Sequence, residues 1–511
     1  MIAMKRLITI LLASVAFTTL SAQKYDYSME RIGWINPWTT SSNSSGMVLN
    51  EAFLKNISSY TEGEVAGYIS SGDLKNIYDP KSRYGGNFYI SSYMKLGKGY
   101  LRGDFNYDYS MARESRWRGW TDPYSTPFML ADTIPGDLSH EQYKMGAALA
   151  YPASDLISLG IGLKYNVGIM AKHRDLRNKN TDMEFEVTPS MMISWDKFKL
   201  GLDLGYLRNT EKVEYKQEDA SEEKYLFYLY GLWLYHSTGF SSAETSRENI
   251  TSGYNATLTA DLSVSGARIF NDFTAGYTTA MQGETGYNGL IHGETNRLTF
   301  SDRLTILCGY RHKIGAKVHF YTMVGNRFLQ RQELDPKSNI RVWVTYGGPI
   351  NYYYRSFASE EISYTYRMAK SHTDIKWEVS AGVKGTAVSH KYKETPLTFN
   401  QSLNTMEAYL KYAHYIPFKN SRLDIAPEVA YSFSDGIINN TEEGQNQWQL
   451  EKELMEEYNF WYAPKIKGGL EVKYNFKAIS VRGLYRGEFA TGGAAKGDMR
   501  HYGVVSFGFA F

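Results

Sequence analysis

Apolar and polar residues alternate with a period of two along most of the chain after about residue 60. In residues 101–111, one face carries apolar and aromatic side chains and the other carries hydrogen-bonding ones. The same division returns in the stretches 157–169, 198–206, 254–264, 375–383, 406–416, 423–433 and 468–476. Since side chains along a strand point to opposite faces in turn, this period predicts β-strands with one apolar and one polar face.

The length of these runs indicates strands that cross a membrane. Soluble strands peak near 5 to 6 residues, whereas a tilted strand needs roughly 9 to 11 residues to cross a bilayer. Several of the runs continue for about a dozen residues, which exceeds the soluble norm. We therefore expect an all-β fold with a single transmembrane antiparallel β-barrel over residues 61–511.

Short and long connections alternate between the predicted strands. The long connections are expected near residues 113–140, 173–182, 209–252, 283–293, 332–361, 391–402, 435–461 and 491–499. Outer-membrane barrels have short periplasmic turns and longer extracellular loops, and an even number of strands. Counting along this alternation predicts about 18 strands, with 16 as the alternative.

The polar face of the predicted wall supplies candidate lumen-facing residues. These are Arg102, Asp104, Asn106, Asp108, Lys376, Glu378, Lys467, Glu471 and Lys473. An 18-strand barrel can hold a water-filled lumen. The mixed signs of these side chains predict no strong ion selectivity.

The chain ends in a strand with aromatic residues on one face, Phe507, Phe509 and Phe511. This pattern resembles the C-terminal signal that the barrel-assembly machinery reads in bacterial outer-membrane proteins. The alternative is an ordinary hydrophobic edge strand. Because an exposed aromatic edge invites association with other chains, closure into a barrel is the favoured interpretation.

The N-terminus has the pattern of a secretory signal peptide. Lys5 and Arg6 precede an apolar run, and small residues around Ala22 suit cleavage, so residues 1–22 are expected to be removed. Residues 23–60 lack clean alternation and are interpreted as a periplasmic segment or a plug that enters the lumen. The alternative is a loosely ordered leader. These features predict the cell outer membrane, with contacts to its lipid and lipopolysaccharide.

Residues 225–235 form a run that is apolar on both faces, and at 11 residues it is too short for a spanning helix. Its aromatic members Tyr225, Phe227, Trp233 and Tyr235 are candidates for an interaction loop that packs on a partner. Burial within its own loop is the alternative. Acidic runs at 211–223 and 442–457 read as solvated loop charges, or as sites for a bridging divalent cation.

Composition agrees with this class. The mean hydropathy of −0.42 excludes a bundle of spanning helices, and the 15% aromatic content suits interfacial girdles beside the turns. A net charge of +2 suggests no nucleic-acid partner, and the lone Cys308 excludes an intramolecular disulfide. The histidines are scattered, and Ser389 and His390 point to opposite faces of a strand. We therefore expect no catalytic, cofactor-binding or metal-binding residues and no enzyme activity.

Several weak motifs resemble an uncharacterised family of Bacteroidota outer-membrane β-barrel proteins, a family defined by a domain of unknown function. They are the stretches 36–38, 43–46, 120–127, 131–137 and 141–143. The resemblance implies genes beside TonB-dependent receptors and surface lipoproteins, which are then the expected partners. It implies a porin-like or accessory role in nutrient uptake. A structural barrel that binds a surface partner through its loops is the alternative, followed by an outer-membrane hydrolase.

Overall fold

The computed structural model describes residues 38, 41, 46, 59–219, 221–240, 245–284, 290–371, 374–394, 397–440 and 449–510. Most of these residues lie in long strands that form one sheet. The strands of that sheet are β1 (Ser59–Gly72), β2 (Ser82–Leu96), β3 (Gly99–Ser115), β5 (Gly136–Pro152), β6 (Ile157–Lys172), β7 (Arg177–Ser194), β8 (Phe198–Lys216), β11 (Thr245–Val264), β12 (Ala267–Glu284), β13 (Ile291–Cys308), β14 (His312–Arg327), β17 (Ile350–Ala369), β18 (Ile375–Glu394), β19 (Leu397–Pro417), β20 (Ser421–Asn440), β21 (Lys465–Phe476), β22 (Ile479–Ala490) and β23 (Met499–Ala510).

The sheet is a closed ring of 18 antiparallel strands. Each strand pairs with its neighbours in the order of the chain, and β1 pairs with both β2 and β23. In the closing pair, Val65 lies opposite Phe507. Closure removes both sheet edges, so the prediction of an 18-strand barrel is confirmed and the 16-strand alternative is not needed.

The outer face of the ring is apolar and exposed, as a bilayer requires. On β6, Leu159, Ile161 and Leu163 are exposed, whereas Ser158 on the opposite face is buried. Outward-facing aromatic side chains also cluster beside the turns, and Trp195 there stacks on Phe198 with ring centroids 5.5 Å apart. These features match the apolar band and aromatic girdle of membrane barrels.

The two ends of the barrel differ. At the turn end, neighbouring strands join through short connections such as 97–98, 195–197 and 477–478. At the loop end, connections such as 116–135 and 217–244 contain further elements. The strands extend farther towards this end than the sequence pattern predicts. β11 begins at Thr245 and β17 at Ile350, within the connections expected at 209–252 and 332–361. Residues 245–253 of β11 are mostly polar on both faces, and residues 352–354 of β17 are all tyrosine, so the period of two fades there while backbone pairing continues.

In the part of the chain that the structure describes, the loop-end connections fold into three small elements. A three-stranded sheet has the order β10-β9-β4, with β4 (Phe128–Ala131), β9 (Lys224–Tyr230) and β10 (Tyr235–Phe240). A separate hairpin pairs β15 (Gln330–Leu334) with β16 (Arg341–Thr345). Helix α1 (Glu451–Tyr462) precedes β21. Within the described residues, no helix has both the length and the apolar content needed to cross a membrane.

The N-terminal segment touches the inner wall at the residues that the structure describes. The indole Nε1 of Trp38 donates a hydrogen bond of 2.7 Å to Asp261, and its ring meets Phe270 edge-on at 5.4 Å. Trp38 is buried and packs beside Met192. The signal peptide predicted for residues 1–22, most of the segment 23–60, and Phe511 of the C-terminal signal lie outside the described residues.

We expect Ile362→Arg to destabilise the folded barrel in vesicles by about 2–4 kcal/mol, because it places a cation on the exposed apolar face of β17. Ser363→Arg is the matched control, since the next residue of the same strand lines the lumen. Reversible urea unfolding in lipid vesicles measures both variants. Equal losses for the two variants would contradict the assignment of faces.

Candidate functional site

The loop end of the lumen is filled by a cap, which we define as residues 116–135, 221–240 and 449–464. It contains the β4–β9–β10 sheet and α1. Its buried apolar side chains form one cluster with inward-facing residues of the wall. Members of that cluster include Trp117, Trp120, Phe128, Leu130, Leu226, Leu229, Trp233 and Leu454 from the cap and Val213, Tyr215, Met323, Tyr352, Tyr392 and Phe399 from the wall.

The run 225–235 is apolar on both faces because it provides the central strand of the cap. β9 pairs with β4 on one side and with β10 on the other. Trp233 is 3% exposed, Phe227 and Tyr235 are partly buried against the same cluster, and Tyr225 is 49% exposed. The expectation of an exposed interaction loop is therefore corrected for Trp233, which packs inside the barrel, and only Tyr225 presents a largely open ring.

Polar contacts tie the cap to opposite sides of the ring. Asp132, after β4, forms an ion pair of 2.5 Å with Lys172 of β6, and both side chains are buried. Phe128 of β4 packs edge-on against Tyr352, which in turn meets Tyr392 of β18. α1 contacts β19, which lies nine strands around the ring of 18 from β6. The cap thus reaches across the lumen.

The carboxylate of Glu457 on α1 joins three connections. It accepts hydrogen bonds from the Tyr124 hydroxyl at 2.7 Å and from the Trp233 indole Nε1 at 2.6 Å. Asn76, from the connection between β1 and β2, donates to the same Tyr124 hydroxyl at 3.0 Å. Burial raises the pKa of Glu457 and the pKa of Tyr124 above their ordinary values. Residues from four connections therefore meet at one buried polar centre.

Two arginines of the wall donate hydrogen bonds to the backbone beside this centre. Arg355 of β17 donates to the Tyr124 carbonyl at 3.1 Å and lies over its ring at 4.9 Å from the centroid. Arg297 of β13 donates to the Ser125 carbonyl at 2.9 Å. These bonds satisfy two backbone carbonyls of the cap that have no strand partner. They hold residues 124–125 against the wall.

Sequence reasoning missed this centre because both acidic runs read as solvated loops. Glu211 is instead buried on β8, where Thr121 and Asn180 donate to its carboxylate. Glu457 follows a helical spacing in which Leu454 and Tyr458 are buried, a period of three to four that could have been noticed. Among the described residues, no group of three or more His, Cys, Asp or Glu side chains could hold a metal ion.

The turn end of the lumen contains a chamber of about 800 Å³. Three of the predicted lumen-facing residues, Glu378, Glu471 and Lys473, line it. Lys467 faces the lumen nearer the cap and pairs with Glu407 at 2.6 Å. Lys376 lies at a register irregularity between β17 and β18, next to the turn, and is not part of the lining.

The four predicted residues of β3 lie on the lumen side in a network of polar contacts. Asp108 accepts from Tyr68 at 2.9 Å, and Asn106 bonds Asn87 at 3.1 Å. Arg102 lies 3.7 Å from Asp104. Their charges are therefore engaged with the wall itself.

Two of the histidines, His319 and His390, form hydrogen bonds across neighbouring strands. His390 bonds the Tyr353 hydroxyl at 2.9 Å, beneath the cap. Ser301 and His319 bond each other at 2.7 Å, a pairing that sequence reasoning missed because it crosses between strands. The His319 ring contacts the aromatic rings of Tyr321 and Phe357.

We expect Glu457→Ala to loosen the cap, because it leaves the Tyr124 hydroxyl and the Trp233 indole without their acceptor at a cost of about 1–3 kcal/mol. Trypsin cleavage after Lys452, an exposed residue of α1, should become about tenfold faster. Glu453→Ala, on the same helix, is the matched control. Unchanged cleavage in Glu457→Ala would show that this centre does not hold the cap.

The chain has an overall likeness in shape to solved transport proteins. The RagAB peptide importer in its closed-closed state matches at 7% identity with a TM-score of 0.42, covering 84% of this chain and 72% of that chain. The copper transporter OprC matches at 9% with a TM-score of 0.41, covering 88% and 80%. The ferric-catecholate import receptor Fiu from E. coli K12 matches at 7% with a TM-score of 0.39, covering 88% and 81%. These values are too low to bear on function.

Comparison at the level of sequence identifies a family. Residues 51–511 match the model of a family of unknown function, DUF6850. A search of curated proteins found no match to the sequence. Because the matched range includes the whole barrel, the chain belongs to the DUF6850 family of unknown function.

Proposed function

We propose that this chain is a non-enzymatic outer-membrane barrel that takes part in nutrient uptake, either as a gated channel or as an accessory subunit of a TonB-dependent transport assembly. The observation that carries the proposal is the asymmetry of the lumen. Its loop end is filled by the cap, while its turn end holds an open polar chamber. A barrel with an apolar outer band suits the bilayer, and bacterial barrels place their loops outside.

The channel version assigns the cap the role of a gate. The cap is built from connections rather than wall strands, so it can be displaced without breaking the pairing of the ring. The Glu457 centre is the contact that such a displacement would break. The resting protein is then closed, and solute passes only when the cap moves.

The channel version predicts low conductance for the unaltered protein in planar bilayers and frequent openings for the double variant Glu457→Ala with Trp233→Ala. Together the two substitutions remove the hydrogen bonds of the Glu457 carboxylate to Tyr124 and Trp233 and the packing of the Trp233 ring. Glu453→Ala should conduct like the unaltered protein. If every variant is silent, including one that also lacks residues 24–60, the channel version is wrong.

The accessory version is supported by the β15–β16 hairpin. This hairpin pairs with no other strand of the described residues, and it exposes apolar side chains at Leu334, Ile340 and Tyr346. Exposed apolar side chains near one another commonly mark a protein contact. A TonB-dependent receptor or a surface lipoprotein is the partner we propose, in line with the resemblance of the sequence motifs.

Gentle detergent extraction followed by pull-down should recover a stoichiometric receptor or lipoprotein. Leu334→Ser with Ile340→Ser should reduce that recovery at least several-fold, because both side chains contribute exposed apolar surface. Lys337→Ser, in the turn of the same hairpin, is the control. Recovery of the chain as a clean monomer contradicts the accessory version.

A further inference from the structure

We propose that the turn-end chamber is a binding site for small anions that carry carboxylate or phosphate groups. This inference rests on the proposed role in uptake, since it names the class of solute that the lumen would receive. The charges, the ion pairs and the dimensions of the chamber each support it.

The lining of the chamber carries more positive than negative charge. Ten lysine and arginine residues line it, against six aspartate and glutamate residues. Two of the ten, Arg303 and Lys317, pair with Asp272 at 2.6 Å and with Glu361 at 3.6 Å outside the lining, which leaves an excess of two positive charges. The basic residues are Arg303, Lys313, Lys317, Arg367, Lys411, Arg422, Lys473, Lys477, Arg482 and Arg486. The whole chain carries a net charge of +2 over 511 residues, so this excess is concentrated in the chamber. The expectation of no strong ion selectivity, made from the mixed signs of the predicted lumen-facing residues, stays a prediction.

The acidic residues of the lining are engaged mainly by arginines. Glu378 pairs with Arg367 at 2.6 Å. Glu428 accepts from Arg486 at 2.5 Å and also pairs with Lys411 at 3.2 Å. Arg482 lies between two carboxylates, at 3.2 Å from Glu471 and 3.4 Å from Glu64. These pairs neutralise most of the carboxylate charge within the wall.

Lys473 is a lysine of the lining that takes part in none of these ion pairs. Its cross-strand neighbours on β20 and β22 are Asp424 and Arg482. Asp424 is already bound by Arg422 at 2.5 and 2.6 Å and by the Asn475 amide at 3.1 Å. Among the described residues, Lys473 has no acidic partner within 4 Å.

Lys477 adds a second such ammonium group at the mouth of the chamber. It follows the last residue of β21, and its Nζ lies 5.4 Å from the centroid of the Phe476 ring. No carboxylate of the described residues lies within 4 Å of it. Two lysines near the same turn therefore offer charge to a solute that enters from the turn end.

The chamber has the dimensions of a small-molecule site. Ligand pockets commonly measure about 300–1,000 Å³, and this chamber measures about 800 Å³. Walls of low dielectric focus the field of the excess charge into such a space and raise the local concentration of the opposite charge. Hydroxyl groups of Ser363 and Ser480 also line it and can bind anionic oxygens.

The sign of the chamber can be measured without transport. In a Cys308→Ser background, Ser480→Cys places one thiol in the chamber, and Asn420→Cys places one on an exposed turn outside it. Methanethiosulfonate reagents with a sulfonate or a trimethylammonium group then probe each site. We expect the ratio of anionic to cationic reaction rates to be at least tenfold higher at residue 480, and to decline as salt screens the field.

Lys473→Gln with Lys477→Gln should lower that ratio several-fold, whereas Lys419→Gln, on an exposed turn outside the lining, should leave it unchanged. Equal ratios at residues 480 and 420 would overturn the proposal. If Ser480→Cys fails to fold, Ser363→Cys reports on the same chamber.

Binding is then tested by protection of the thiol at constant ionic strength. Citrate and inorganic pyrophosphate are the carboxylate and phosphate probes, and sucrose is the neutral control. Slower modification with citrate or with pyrophosphate supports binding and tells which chemistry the chamber takes. No protection by either anion overturns it. If the thiol is protected but the protein neither conducts in planar bilayers nor recovers a partner in the pull-down, the anion site stands and the proposed function is wrong.

Discussion

A membrane interior offers no water to hydrogen-bond the backbone, so every N–H and C=O group that crosses it needs a partner within the protein. The pairing of β1 with β23 meets this requirement, because it converts a row of strands into a ring with no free edge. The outward apolar face, the two different ends and the enclosed lumen all presuppose that closure. Its cost is an interior far wider than side chains from the wall alone can fill.

The loop-end connections of the chain fold into the lumen and fill part of it. Long connections at the loop end contribute a small sheet and a helix, and their apolar faces bury against wall aromatics such as Tyr352 and Phe399. Hydrophobic burial alone is not directional, so the cap also depends on polar contacts for its position. Glu457 supplies the chief one, where donors from Tyr124 and Trp233 meet, while Arg355 anchors Tyr124 to the wall. The result is a plug that shares one apolar cluster with the wall.

The turn end follows a different rule, since its lumen stays polar and open. Arginine side chains form ion pairs with most of the carboxylates. A planar guanidinium group can donate to both oxygens of one carboxylate, as Arg422 does with Asp424. Lysines remain, and Lys473 and Lys477 are the clearest examples. A wall of nearly balanced composition thereby produces a chamber in which positive charge exceeds negative charge. The described residues of the two acidic runs, 211–219, 221–223 and 449–457, belong to the loop end of the barrel.

The sequence alone determined the barrel and the alternation of turns and loops, because a period of two and a run length are local properties of the chain. It predicted about 18 strands and left 16 open, and the pairing of the strands decided the number. It also placed Glu471 and Lys473 on the lumen face by parity. Tertiary structure decided the rest. The apolar run 225–235 could be an exposed patch or a core strand, and only its pairing with β4 and β10 chose the core. Glu457 looked solvated because its partners lie hundreds of residues away in the chain, at Tyr124 and Trp233. The sign of the chamber likewise depends on which charges pair across strands, and no local pattern contains that information.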